Sequence, residues 1–400
     1  MSYKPKNRIY LCLAHMSEAG FEQKYIQEAF TTNWVAPLGP NVYGFEKDLE
    51  DFVGTQKHIA ALSSCTAALH LALLQLGVEE GDEVLCQTFS FCASTHPITY
   101  CGAQPVFIDS EPNTWNIDPM LLEMAINDRA RITGKKPKAI IVVDLYGMPA
   151  NWEALESLGE KYNIPIIEDA ANALGSYYNG VPCGAFGTLA TFSFNGNKII
   201  TTSGGGALVC SDEGTKRQAV FLATQARENA PYYQHEIIGY NYRLSNISAG
   251  IGRGQMTVLG DHVRHHKHVH ELYQRLLVSV EGIEVKDNPS DKYDSNFWLT
   301  TILMAPSVKI KGQDSERRIY SDCEPNDNVE ALRVWLDQAG IEARPLWKPM
   351  HKQPVYKAAP AYVNGVSESL FKVGMCLPSG SYVSDEDVKY IVDCIKEAIV

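Results

Sequence analysis

Lys198 stands in Thr191-Phe-Ser-Phe-Asn-Gly-Asn-Lys198-Ile-Ile-Thr-Thr-Ser-Gly-Gly-Gly206, a polar turn between two apolar, strand-like runs. Upstream, Ile164-Pro-Ile-Ile-Glu-Asp169-Ala-Ala reads as a buried strand ending in acid. A lysine after one strand and an aspartate at the end of another suit pyridoxal phosphate. The amine can form a Schiff base with the cofactor's aldehyde. The carboxylate keeps the pyridine nitrogen protonated, which makes the ring an electron sink. Each residue also has a plainer reading: a loop lysine is a solvated charge, and an aspartate after a strand is a helix N-cap.

A third segment supplies what such a cofactor needs for its phosphate. In Ala60-Ala-Leu-Ser63-Ser64-Cys65-Thr66-Ala-Ala-Leu an apolar run meets hydroxyl residues and then an alanine-leucine helix pattern. The turn presents backbone N–H groups at a helix N-terminus, beside hydroxyl donors, which is a seat for an anion. Ser64 or Thr66 as a simple cap is compatible with that role, because capping groups and phosphate ligands occupy the same place.

The elements that must position these groups are legible as alternation. Helical patterns run over 43–52, 66–76 and 152–162, and strands over 58–62, 83–86, 105–108, 139–143 and 165–168. This order predicts a mainly parallel sheet covered by helices on both faces, with ligands bound beyond the carboxyl ends of the strands. After Gly260 the texture changes. A long amphipathic helix is expected over 262–280, a strand over 297–304, an exposed polar insertion over 307–328, and helices over 329–339 and 385–400. The expected division is a large cofactor-binding domain, 1–260, whose first 40 residues contribute to the substrate cleft, and a small α/β domain, 261–400.

Composition bounds the rest. Four hundred residues, 45% hydrophobic and 20% charged, describe an ordinary soluble enzyme. A net charge of −12 argues against nucleic acid as a partner. Ten cysteines without zinc spacing read as reduced core thiols of a cytoplasmic protein. No stretch is long enough to span a membrane. His262, His266 and His270 share one helical face, with His265 and His268 beside them. No carboxylate or thiol pattern completes a metal site there, so the segment reads as a solvated helix face and no metal is expected.

Many ordered motifs together resemble one family. They are Ala36-Pro-Leu-Gly39, Phe45-Glu46, Ser63-Ser-Cys-Thr-Ala-Ala-Leu-His70, Thr88-Phe89, Leu145-Tyr-Gly147 and Glu168-Asp-Ala-Ala171. Phe192-Ser-Phe with Lys198, Gly239-Tyr-Asn-Tyr-Arg243, Arg344-Pro-Leu-Trp-Lys-Pro-Met-His351 and Leu377-Pro-Ser-Gly380 follow. The chain resembles the DegT-type sugar aminotransferases over nearly its whole length. That resemblance implies fold-type I: a seven-stranded-type, mainly parallel sheet between helices, plus the small domain. Asn195 to Gly206 and Thr224-Gln-Ala-Arg-Glu-Asn229 further resemble the transaminases that make UDP-4-amino-4,6-dideoxy-N-acetylglucosamine in the bacillosamine pathway.

The resemblance implies that pyridoxal phosphate is the cofactor and that L-glutamate gives its amine to a UDP-linked keto sugar, leaving 2-oxoglutarate. It makes Lys198 the Schiff-base lysine and proton carrier and Asp169 the partner of the pyridine nitrogen. Ser64, Cys65, Thr66 and Ser193 hold the phosphate, Phe89 stacks on the ring, and Asn172 lies close by. Asn241 reaches the neighbouring subunit's site, so a homodimer with shared sites is implied. Cys65 stands where glycine or alanine is usual, Asn172 where glutamate, glutamine or histidine is frequent, and Asp144 where histidine is common. Trp34, Ala36, Pro37, Trp347 and Lys348 are expected to border the sugar-nucleotide pocket. The donor carboxylate is left among Arg227, Arg243 and Arg344.

Overall fold

Short runs of Ile, Val, Ala and Leu favour strands when they are buried on both faces, because nothing polar along them needs solvent. In the computed structural model, which describes residues 5, 7–54, 56–313 and 321–400, such runs form one eight-stranded sheet. Its order is His58–Leu62, Gly206–Cys210, Leu189–Ser193, Ile166–Asp169, Ala139–Val143, Glu83–Gln87, Gln104–Ile108 and Ala361–Tyr362. Only Gly206–Cys210 runs against its neighbours; the other pairings are parallel. The eighth strand corrects the expected seven. Ala361–Tyr362 comes from the C-terminal part of the chain and pairs in parallel with Phe107 and Ile108.

The helix Cys65–Gln75 is apolar nearly all round, with eight of its eleven residues buried. A helix of that kind belongs inside a layer rather than on a surface. It packs against the sheet on one side and the helix Glu213–Ala223 on the other. Ser64 caps it, accepting the N–H of Ala67 at 3.0 Å. Leu69 is fully buried there, and its truncation to alanine would cost about 2–5 kcal/mol.

A second core lies in the C-terminal part. The helix Leu259–Leu277 places Val269, Leu272, Tyr273 and Leu277 against Ile302, Leu332, Ile391 and Ile395. The sheet beneath it has the antiparallel order Ile283–Val285, Thr300–Met304, Gly374–Leu377, Arg344–Pro345. Ile9 joins this core and bridges to Ile341.

Two surface expectations are corrected. Val308, Ile310 and Cys323 of the supposed exposed insertion are buried, and Ile310 bridges to Ile399. Residues 314–320 of that stretch lie outside the described residues. The histidine face is buried as well: His262, His266 and His270 are 6%, 1% and 1% exposed. His262 Nδ1 lies 2.9 Å from the Ile199 carbonyl, and His266 Nδ1 lies 3.3 Å from that of Phe297. These i, i+4 positions face the core, where backbone acceptors meet His262 and His266 and the His270 ring stacks on Phe297.

Candidate active site

The parallel register brings Val143, Asp169 and Thr191 side by side. The carboxyl ends of these strands, and of His58–Leu62, open into a cavity of about 660 Å³. Lys198, Asp169, Asn172, Ser193, Ser63, Ser64, Cys65, Thr66, Arg344 and Trp347 all line it. Residues separated by more than a hundred positions in sequence are thus gathered at one sheet edge.

The anion seat is built by close backbone approach. Gly206 sits so near the start of the helix Cys65–Gln75 that a Cβ on it would lie 2.3 Å from the Cys65 nitrogen. Only glycine allows the strand to press against that helix N-terminus. Ser193 ends the adjoining strand, and Gly204 and Gly205 complete the rim.

Lys198 is half-buried in the cavity wall. Its Nζ donates to Asn172 Oδ1 and lies 4.3 Å from the centre of the Trp298 ring. Burial lowers its pKa to about 8, against partial support from Cys65 and Asp169. An amine near that value is available as the neutral base at physiological pH. Asn172 is held by its own carbonyl, which accepts from Asn296 Nδ2 at 2.9 Å.

Asp169 is 3% exposed. Its Oδ2 accepts from the Ser94 hydroxyl at 2.6 Å and its Oδ1 from the Ala171 N–H at 3.1 Å. Desolvation raises its pKa, opposed by those two donors and by Lys198. A cation placed against this carboxylate would offset the cost of its burial. The Cys65 thiol packs 3.5 Å from Thr191 Oγ1 and 3.9 Å from Asp169 Oδ1, and burial pushes its pKa up. It is therefore a neutral, compact filler beneath the anion seat rather than a nucleophile.

A lysine amine, a buried carboxylate and an anion-binding helix terminus in one cavity fit pyridoxal phosphate. The aromatic wall differs from expectation. Phe89 is fully buried, packs near Trp115 and Tyr146, and does not line the cavity; Phe91 does. Both sit in the same turn after Glu83–Gln87, and sequence gives no reason to choose between them.

The predicted substrate residues divide. Arg344 and Trp347 line the cavity. Trp347 stacks among Tyr146, Phe91 and Trp298 at centroid distances of 4.7, 5.8 and 6.2 Å. Lys348 lies off the lining and donates to Ser321 Oγ at 2.7 Å. Arg243 is buried, donating to Glu46 and to the Ala61 carbonyl, and so supports the fold. Arg227 is exposed over the Tyr233 ring, 4.3 Å from its centre. Trp34, Ala36, Pro37 and Asn241 lie outside this chain's cavity, and Asn241 is exposed. The carbonyls of Trp34 and Ala36 instead accept from Asn246. Leu11, Cys12, Ser94, Asn195, Asn197, Trp298 and Glu342 were not named as site residues from the sequence, yet all line the cavity. Their polar groups carry no local pattern that separates them from surface residues.

Residues 17–396 match the model of the DegT/DnrJ/EryC1/StrS aminotransferase family. The chain is 46% identical to "Putative pyridoxal phosphate-dependent aminotransferase EpsN" of Bacillus subtilis (strain 168), over 97% of its own length and 95% of the relative's. It is 34% identical to GDP-perosamine synthase of Escherichia coli O157:H7, over 97% and 98% of the two chains. The crystal structure of a DegT DnrJ EryC1 StrS aminotransferase from Brucella abortus superimposes with a TM-score of 0.84. That match is 27% identical and covers 95% of both chains.

Proposed function

Since the chain belongs to the DegT/DnrJ/EryC1/StrS aminotransferase family, we propose that it aminates the 4-keto carbon of a UDP-linked 4-keto-6-deoxy-N-acetylhexosamine. L-Glutamate is the donor and 2-oxoglutarate the by-product. The enzyme class itself, a pyridoxal-phosphate-dependent aminotransferase, follows from the family. The UDP sugar is supported by the likeness of Asn195 to Gly206 and Thr224 to Asn229 to the bacillosamine-pathway transaminases.

When bound, the cofactor supplies the electron sink that lets an amino group change carbons. The chain supplies the rest. Asp169 would hold positive charge at the ring nitrogen, with the Ser94 hydroxyl and the Ala171 N–H orienting its carboxylate. The terminus at Cys65 and Thr66, with Ser64 and Ser193, binds the phosphate. Lys198 Nζ, with its pKa lowered to about 8 by burial, would carry a proton to and from the reacting carbon in its neutral form, and Asn172 accepts from that amine when it is not bonded. The observation that carries this reading is the enclosure of Lys198 and Asp169 in one cavity at a helix N-terminus.

The assembly belongs to the same proposal. Trp34, Val35, Leu38 and Tyr43 leave one apolar face exposed, and Tyr232, Tyr233, Ile237 and Ile238 another. Apolar exposure of this extent marks a contact surface. A homodimer that covers it, with Asn241 reaching the partner's phosphate seat, fits the placement of Asn241 outside its own cavity.

The test is a panel of UDP-, GDP- and dTDP-linked keto sugars, each incubated with enzyme and glutamate, with the product's amine carbon identified by NMR. Fastest amination of the UDP-linked 4-keto sugar is expected. Preference for a GDP-linked sugar, the direction in which the relative named GDP-perosamine synthase points, would replace the substrate and leave the reaction class standing.

A further inference from the structure

An aminotransferase uses one cavity for two unlike substrates in turn. Glutamate brings carboxylates to it, whereas the reacting ring of a keto sugar brings only hydroxyl, keto and amide groups. A guanidinium fit for the first has no carboxylate to pair with in the second.

Among the described residues lining the cavity, Lys198 and Arg344 are the cations, and Asp169 and Glu342 the anions. Lys198 and Asp169 serve the cofactor. The remaining two are paired with one another. Arg344 Nε and Nη2 converge on a single oxygen, Glu342 Oε1, at 3.1 and 2.8 Å. This is half of the two-oxygen fork that a guanidinium makes with its best carboxylate partners. The other oxygen, Oε2, accepts the backbone N–H of Leu11 at 3.2 Å. Glu342 therefore keeps a donor when Arg344 leaves it. The Arg344 side chain is 64% exposed against 21% for Glu342, so the arginine is the mobile member. An ion pair this open to solvent is weak and breaks at little cost.

We infer that Glu342 is an internal counter-ion that holds Arg344 while the sugar ring is in the cavity and releases it to a carboxylate of the amino donor. Arg344 swings between two carboxylates, one built in and one brought by glutamate. Glu342 is thus a positioning residue that lets one cavity bind a charged donor and an uncharged acceptor ring. The inference rests on the proposed use of glutamate but is independent of which nucleotide sugar accepts the amine.

The test uses the holoenzyme without any sugar. Glutamate alone converts the lysine-bound cofactor to its amine form, which is read as loss of the visible band, and glutarate, which has no amine to give, reports binding by calorimetry. Arg344→Gln should raise the glutamate concentration for half-maximal conversion by about a hundredfold, with the starting band unchanged. Glu342→Gln should act in the opposite sense and tighten both glutamate and glutarate by about three- to tenfold, since the competing internal anion is gone. In full turnover the same Glu342→Gln variant should show glutamate competing more strongly against the sugar. Weaker or unchanged glutarate binding in Glu342→Gln would overturn the exchange, as would an unchanged glutamate response in Arg344→Gln. If wild-type holoenzyme does not respond to glutamate but does to another amino donor, the donor assignment under Proposed function fails instead. Because Arg344 is mostly exposed, its substitution does not threaten folding, and the intact visible band verifies this in each variant.

Discussion

The Ser94 hydroxyl donates to Asp169 Oδ2 over 2.6 Å, while the other carboxylate oxygen takes the Ala171 N–H. Two fixed donors hold a fully buried carboxylate in one orientation at the floor of the cavity. Asp169→Asn keeps the shape and removes the charge. It should still bind the cofactor but lose about two to four orders of magnitude in turnover, the usual span for a lost acid–base partner. Ser94→Ala should cost far less, because Ala171 still orients the side chain. Near wild-type turnover in Asp169→Asn would reduce Asp169 to a backbone cap.

Lys198→Ala should abolish both the visible band of the holoenzyme and repeated turnover. The pH behaviour gives an independent check on the apoprotein. Burial places the amine's pKa at about 8, down from 10.5. Only the neutral amine attacks an aldehyde, so the rate of cofactor reattachment should rise with pH and level off above about 8. Between those two values the unfolded chain binds more protons at this residue than the folded one. Apoprotein stability therefore gains a contribution as pH rises across that window. A reattachment rate that still climbs steeply from pH 9 to 10 would mean the amine is not desolvated.

Asp144 and Glu168 are buried side by side with Cys183 nearby, the one such acid–thiol group among the described residues. Asp144 Oδ1 accepts from Ala150 N and Trp152 Nε1, and Glu168 accepts from Gly184 N and Phe186 N. Burial raises the pKa of Asp144 to about 6 and that of Glu168 well above the ordinary range. The folded state then holds more protons than the unfolded one. The stability this provides is complete below pH 4 and is lost as pH rises through about 6. Asp144→Asn keeps both acceptor bonds and gives Glu168 an amide donor. It should stabilise the protein by about 1–3 kcal/mol at pH 8 and by little at pH 5, measured by urea unfolding. A loss of stability at pH 8 would contradict the cost assigned to burying these two carboxylates together.

Asn241 is exposed and stands outside its own chain's cavity. If it completes the partner's site, Lys198→Ala and Asn241→Ala proteins should each be impaired. Heterodimers formed from the two should regain activity, because one of their two sites carries both native residues. An absence of recovery in heterodimers proven by mass would return Asn241 to a role within one chain.

The strands His58–Leu62 and Ala139–Val143 and the helix Trp152–Tyr162 were legible to the residue, because apolar runs and turn residues are local signals. Lys198 and Asp169 were legible for the same reason: Asp169 closes a strand and Lys198 lies in the turn that follows another, and strand ends in a parallel sheet converge. What tertiary structure alone decided concerns residues whose type does not reveal their surroundings. Phe89 and Phe91 share one turn, but only the second reaches the cavity. Three histidines that read as wet are buried, two against carbonyls from other elements and the third, His270, stacked on Phe297. Arg227, Arg243 and Arg344 carry the same charge, yet one is exposed, one is locked in the core and one faces the cofactor cavity. Ala361–Tyr362 pairs with a strand some 250 residues earlier. Local sequence specifies periodicity and chain reversal. Which side chain points at which depends on long-range register and burial, and those are properties of the packed chain.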